Sequence, residues 1–258
     1  MEIFQALILG LVEGITEFLP ISSTGHLIIT SQLLAIPASD FIKSFTIIIQ
    51  LGAICAVLFL YGKTLLTNRA IFLRTALAFM PTGIIGITLY PLIKNLLGDV
   101  SIVLWMLLLG GVGILVFERW HKKTIENSYD LAQMPYTHAL YIGLFQSIAM
   151  IPGVSRAAAT ILGGLWLGLP REAIVRFSFL LAIPTMAAAS AYDIYKNAAT
   201  FSSENIAALI IGFITAFITA LFAIRFLLSF IKTHSFNAFA YYRIGAALVF
   251  FILLYVWI

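Results

Sequence analysis

Side chains able to do chemistry are scarce in this chain, and they gather in two places. The first is Glu13-Gly-Ile-Thr-Glu17-Phe-Leu-Pro-Ile-Ser22-Ser23-Thr24-Gly25-His26. Glu13 and Glu17 are four apart, so a helix puts both carboxylates on one face. Among apolar neighbours each costs on the order of several kcal/mol unless solvated, protonated or paired. An exposed interfacial helix with a polar face is the plain reading, but the remaining residues are too apolar to prefer water. The functional reading is a wet site holding a cation, a proton or a divalent metal (Mg2+ or Ca2+), with Glu13 and Glu17 as the metal ligands. Ser22, Ser23 and Thr24 stand where a second half-helix begins, and hydroxyls beside free backbone N–H groups suit an anion. His26 reads as a general acid or base, or as a phosphate ligand.

The second place is Pro152-Gly153-Val154-Ser155-Arg156. Arg156 is read as the only basic residue away from the two membrane faces, and a guanidinium in apolar surroundings needs an anion. Glu13 or Glu17 alone could serve. If the two breaks meet, Arg156 instead binds a phosphate with the glutamates opposite. Ser155 and Thr160 are expected to build a capped half-helix around it and to help bind phosphate. Arginine with half-helix dipoles suits an oxyanion, and paired acids suit a metal or an activated nucleophile. His121, His138 and His234 read as interfacial residues. Trp105, Trp120 and Trp257 read as belt anchors. Cys55 is the lone cysteine, which excludes an internal disulfide and leaves it a small core residue.

The elements that position these residues follow from composition. Hydrophobic residues make up 62% of the 258 and charged residues 10%, against about 25% charged in a soluble domain. Mean hydropathy is +1.05. The apolar residues run in blocks without strict alternation, so an all-α polytopic membrane protein is expected and an outer-membrane barrel is not. Six stretches reach the roughly 20 residues that a span needs, near 42–60, 70–90, 100–118, 173–195, 204–229 and 239–257. Stretches 5–36 and 138–168 are each broken at the polar motifs. Each is one distorted span or a re-entrant hairpin of two half-helices. With both re-entrant, eleven of the fifteen Lys and Arg residues share one side, Lys43, Lys94 and Lys196 take the other, and Arg156 stays in the membrane. A single crossing at 138–168 evens the count to seven against seven. The positive-inside rule favours two re-entrant hairpins, both termini outside, and a net charge of +4 that marks orientation.

The chain also repeats. Ala6-Leu7-Ile8-Leu9-Gly10-Leu11-Val12-Glu13 aligns with Ala139-Leu140-Tyr141-Ile142-Gly143-Leu144-Phe145-Gln146 at an offset of 133, where Ser22 meets Ser155 and a neutral Gln146 replaces Glu13. One broken segment and three spans per half invert the second copy, an arrangement of many transporters. The expectation is one integral membrane domain over 1–258, with repeat 1 about 1–118, a cytoplasmic linker about 119–137, and repeat 2 about 138–258.

The two motifs together resemble the undecaprenyl-diphosphate phosphatase family, also called the bacitracin-resistance protein family, over the whole chain. The resemblance implies hydrolysis of undecaprenyl diphosphate in the bacterial inner membrane, a divalent-cation requirement, and a site opening toward the periplasm. Its acid pair falls on Glu13 and Glu17, its histidine on His26, its hydroxyls on Ser22, Ser23 and Thr24, and its phosphate-binding arginine on Arg156 beside Ser155. The chain departs from the family pattern in one place: Ala157 and Ala158 follow Arg156 where Ser-Gly is usual. That removes a hydroxyl and stiffens the turn. The mechanism implied has Arg156 neutralising the transferred phosphoryl group and either water or Ser23 attacking, with Glu13 or Glu17 as base or both as metal ligands. Expected partners are the lipid substrate and membrane lipids, with a homodimer as a further option and no nucleic acid. An ion- or proton-coupled transporter or a lipid flippase is the alternative that the residues by themselves leave open. Labelling Lys122 or Lys123 with a membrane-impermeant amine reagent from the periplasmic side is expected to fail, and ready labelling there would reverse the orientation.

Overall fold

The computed structural model describes residues 1–37, 39–89, 99–121, 129–197 and 206–257. Among them the chain is helical throughout, and no strand occurs. Helices α1 (Ile3–Thr16) and α2 (Ser23–Leu33) are followed by α3 (Asp40–Thr67), α4 (Arg69–Thr88) and α5 (Val100–Trp120). A 3-10 turn (Leu131–Gln133) leads into α6 (Tyr136–Ile148) and α7 (Arg156–Trp166), then α8 (Arg171–Asn197), α9 (Ile206–Thr233) and α10 (Asn237–Trp257). Short polar side chains start the elements where the sequence supplies them. Ser39 caps α3, Asn68 caps α4 and Asp99 caps α5, each accepting from first-turn N–H groups.

Five helices are long and apolar enough to cross a membrane: α3, α4, α5, α8 and α9. They coincide with five of the six expected stretches, whose parts at 90 and at 204–205 lie outside the described residues. The sixth stretch coincides with α10, which qualifies only as a shorter apolar helix over Asn237–Leu253. Phe59, Leu66, Ile87, Phe222 and Ile252 face outward, as suits a molecule whose solvent is lipid. Trp105 and Trp120 are exposed as well, and Cys55 is a free, half-buried thiol within α3. Residues 122–128 of the expected linker lie outside the described residues. Its ends are ordered, since α5 runs on to Trp120 and α6 begins at Tyr136.

Both broken stretches double back. Gln5 near the start of α1 donates to the Leu34 carbonyl just after α2 (3.4 Å), and Phe145 of α6 meets Trp166 at the end of α7 (ring centroids 5.4 Å). Packing between elements recurs at corresponding places: α1 lies on α9 as α6 lies on α4, and α3 lies on α9 as α8 lies on α4. Close approach at glycine makes these contacts. A β-carbon at Gly10 would sit 2.6 Å from the Gly212 carbonyl oxygen, and one at Gly143 only 2.0 Å from that of Ala78. Such contacts let helices associate in lipid, where apolar burial alone gives little drive. Near the ends of the helices, Arg171 donates two 2.7 Å bonds to Glu118, which also accepts from the Phe236 backbone N–H (3.1 Å). This ties α5, α8 and the α9–α10 turn together.

Gly143→Ala is expected to destabilise the protein by about 1–3 kcal/mol, because the methyl group has no room against α4. Gly245→Ala, with nothing within 4 Å, should be neutral or stabilising by up to about 1 kcal/mol through helix propensity. Thermal unfolding in detergent measures both.

Candidate active site

The residues between α1 and α2, and between α6 and α7, converge on one cavity of about 150 Å3. Local chemistry shapes both walls alike. Ser22 (φ 72°, ψ 92°) and Ser155 (φ 76°, ψ 114°) both hold the backbone at positive φ. Each hydroxyl then accepts from the N–H three residues on, Gly25 (3.4 Å) and Ala158 (3.2 Å). These are N-caps that leave the other first-turn N–H groups of α2 and α7 at the cavity wall. Gly153 (φ 93°) turns the second break tightly, and a β-carbon there would meet the Val103 carbonyl oxygen at 2.5 Å.

Glu17 is the centre of the side-chain network. Ser23 Oγ donates to Glu17 Oε2 (2.5 Å), and Arg156 Nη2 and Nε donate to Glu17 Oε1 (3.1 and 3.4 Å). Arg156 Nη1 donates to the Ser178 carbonyl of α8 (2.9 Å). An arginine has five N–H donors, so two of those on Arg156 have no partner among the described residues. Arg156, Ser23, Thr24 and Glu17 all line the cavity, with Ser22 and Ser155 beside them. Gln50 of α3 and Met186 of α8 close its remaining side.

The other expected site residues stand back from the cavity. Glu13 is fully buried one helical turn from Glu17, its carboxyl group lies within hydrogen-bond reach of the Glu17 carboxylate, and it feels the charges of Glu17 and Arg156. Thr160 was expected to bind phosphate, but its hydroxyl bonds the Arg156 and Ala157 carbonyls of its own helix and meets Ser178 Oγ (2.6 Å). It holds the α8 segment that in turn holds Arg156. His26 is engaged at both nitrogens, Nδ1 donating to the Ser22 carbonyl (2.7 Å) and Nε2 lying 2.8 Å from the Tyr242 hydroxyl. In this arrangement the imidazole braces the Ser22 turn and does not face the cavity. Gln146, at the repeat position of Glu13, donates to Thr82 (2.9 Å) and Thr185 (3.1 Å).

The placement of Arg243 with the cytoplasmic charges is corrected by the structure. It is completely buried between the two breaks, so Arg156 is not the only internal cation. Gln50 and Tyr242 were likewise passed over. A lone glutamine inside Ile47-Ile48-Ile49-Gln50-Leu51 is a signal in its own right, since polar groups in apolar spans line sites more often than not. Tyr242 and Arg243 sit near the start of a span and look like interfacial anchors.

The chain is similar to known proteins over nearly its whole length. The family profile described as "Bacitracin resistance protein BacA" matches residues 6–249. An undecaprenyl-diphosphatase of Aquifex aeolicus is 51% identical over 251 residues, covering 97% of this chain and 98% of that protein. One of Wolinella succinogenes is 50% identical over 250 residues, 97% of each chain. One of Thermus thermophilus is 47% identical over 251 residues, covering 96% and 95%.

The cap geometry yields a test that does not depend on turnover. Ser155→Ala should cost about 1–2 kcal/mol, because alanine loses the cap and keeps the positive φ. Ser155→Gly should cost only a few tenths, roughly, since glycine adopts that φ freely. Unfolding midpoints in detergent distinguish the two.

Proposed function

The chain belongs to the bacitracin-resistance protein family, and from that premise we propose how its cavity does the family's chemistry. The reaction is hydrolysis of undecaprenyl diphosphate to undecaprenyl phosphate and inorganic phosphate, which returns the lipid carrier to cell-wall synthesis. The observation that carries the mechanism is the chain of contacts from Ser23 to Glu17 to Arg156 at the mouth of two capped helix N-termini. The diphosphate enters with its terminal phosphoryl group between those N-termini, where the first-turn N–H groups and the two spare donors of Arg156 receive its oxygens. Ser23 Oγ attacks phosphorus, and its proton passes along the 2.5 Å bond to Glu17. Undecaprenyl phosphate leaves as the P–O–P bridge breaks. Water then cleaves the serine phosphate, releases inorganic phosphate and restores the hydroxyl. Arg156 and the helix dipoles stabilise the charge that spreads over the equatorial oxygens.

A divalent cation suits this donor set. Among the described residues no group of three or more His, Cys, Asp or Glu gathers, but a pair of carboxylates is a donor set that Mg2+ uses. Glu13, fully buried beside Glu17, would be one ligand and Glu17, at the cavity, the other. When bound, the ion would polarise the phosphoryl oxygens.

We read the architecture as two inverted halves, each a re-entrant hairpin followed by three membrane-crossing helices, in the bacterial inner membrane. Matched backbone at Ser22 and Ser155, matched helix packing and the doubling back of both hairpins support it. Removing Arg243 from the charge count leaves ten basic residues on the cytoplasmic side against three, and that excess supports an orientation with both termini and the cavity mouth periplasmic.

Phosphate release from C55-diphosphate by purified protein in detergent tests the reading. Ser23→Ala, Glu17→Gln and Arg156→Ala should each lower kcat by about 100-fold or more, as loss of a preorganised charge or nucleophile does. EDTA should abolish turnover, and Mg2+ or Ca2+ should restore it. Near-normal release by Glu17→Gln or Arg156→Ala would overturn the mechanism. Activity only in sealed vesicles would point instead to transport.

A further inference from the structure

Arg243 presents a puzzle. It is the largest fully buried side chain among the described residues, and no carboxylate there pairs with it. All five of its N–H donors end on backbone carbonyls. Nε donates to Leu107 (3.2 Å), Nη1 to Pro20 (3.2 Å) and Val154 (3.0 Å), and Nη2 to Met106 (2.9 Å) and Gly153 (3.0 Å). Three of these carbonyls belong to the two breaks, and two belong to α5. A buried cation satisfied only by carbonyls is an expensive way to hold a fold together, because an apolar residue would avoid the charge. Both breaks, however, have oxygens directed inward, and only a rigid planar fork with five donors reaches both at once.

The donor inventory separates the two internal arginines. Arg156 has two donors left over and lines the cavity, so it can take a ligand. Arg243 has none left and stands behind the cavity wall. The rest of the chain makes room for the fork. Gly110, offset from Arg243 by the same 133 residues that relate Ser22 to Ser155, lies against it, and a β-carbon at Gly110 would be 2.0 Å from Nη2. Tyr242, the residue before Arg243, reaches His26 of α2, so one turn of α10 grips both the first break and the helix that follows it.

We propose that Arg243 is a positioning residue that locks the two breaks at the separation needed for both helix N-termini to grip one diphosphate. It acts through Pro20, Gly153 and Val154, and it does not touch substrate. A second consequence is that the two N-termini form a single binding unit. An anion that draws on one turn draws on the other through the shared fork. The proposal takes the diphosphate as ligand from the diphosphatase reading, but its test uses binding as well as turnover.

The probe is methylenediphosphonate, a diphosphate that cannot be hydrolysed, titrated into the purified full-length protein at fixed Mg2+. Arg243→Lys keeps the charge and loses the fork, whereas Gly110→Ala keeps every donor and displaces the fork. Both are expected to bind the probe at least tenfold more weakly and to lose at least tenfold in kcat, even where the unfolding midpoint stays near that of the parent. A folded variant of either kind that binds the probe like the parent would overturn the proposal. Hydrogen exchange on the unsubstituted protein tests it without any variant. The probe should slow exchange around 19–25 and around 152–158 together, with the same concentration dependence. Protection of one turn alone would also overturn it. A parent that binds the probe but releases no phosphate would sink the diphosphatase reading and leave this one standing.

Discussion

A broken helix in an apolar environment frees backbone groups that water would otherwise satisfy, and the protein must supply their partners itself. This chain does so twice and meets both demands at one point. The carbonyls of Pro20, Gly153 and Val154 all turn toward the Arg243 guanidinium, while the N–H side of each break is left for the caps of Ser22 and Ser155. The division has a chemical result. Oxygens point one way, into a cation, and N–H groups point the other way, into the cavity. Three carbonyls of the two breaks are thereby engaged away from the cavity.

Charge follows the same logic. Two buried carboxylates, Glu13 and Glu17, lie with the partly exposed Arg156 and the fully buried Arg243 around the breaks, yet of these four only Glu17 and Arg156 pair directly. Glu17 therefore holds both the Ser23 hydroxyl and the Arg156 guanidinium. Its pairing with Arg156 spans a sequence separation of 139, so the first half supplies the acid and hydroxyl and the second half supplies the cation. Neither half is a site alone. The same reasoning explains why Gln146 stands at the place of Glu13: its amide nitrogen donates to Thr82 and Thr185, and a third carboxylate would lack any cation.

Much of this was legible in the residues. Glu13, Glu17, Ser23 and Arg156 stood out because ionisable or clustered hydroxyl groups in apolar stretches are conspicuous, and both capping serines followed from their place after a break. Five of the six expected spans emerged as long apolar helices, since 1.5 Å of rise per residue ties length to thickness. The differences in placement share one cause. Arg243 and Tyr242 lie near the start of α10, where sequence position suggests an interface, and only the packing of α5 against α10 carries them inward. Thr160 and His26 lie beside the breaks in sequence, but helical rotation turns their polar atoms toward Ser178 and Tyr242 and away from the cavity.

Composition and periodicity by themselves determined that the chain is helical and membrane-embedded, that it is broken at two places, and which side chains those breaks carry. These are local matters, decided by hydrophobic run length, by proline and glycine, and by the shortage of charge. The tertiary structure alone decided which polar atoms face the cavity and which brace it. That choice depends on donors and acceptors brought together from segments more than a hundred residues apart, as when the five N–H groups of Arg243 reach three separate parts of the chain. No local pattern encodes such a meeting, because each carbonyl it satisfies is a backbone group that every residue has.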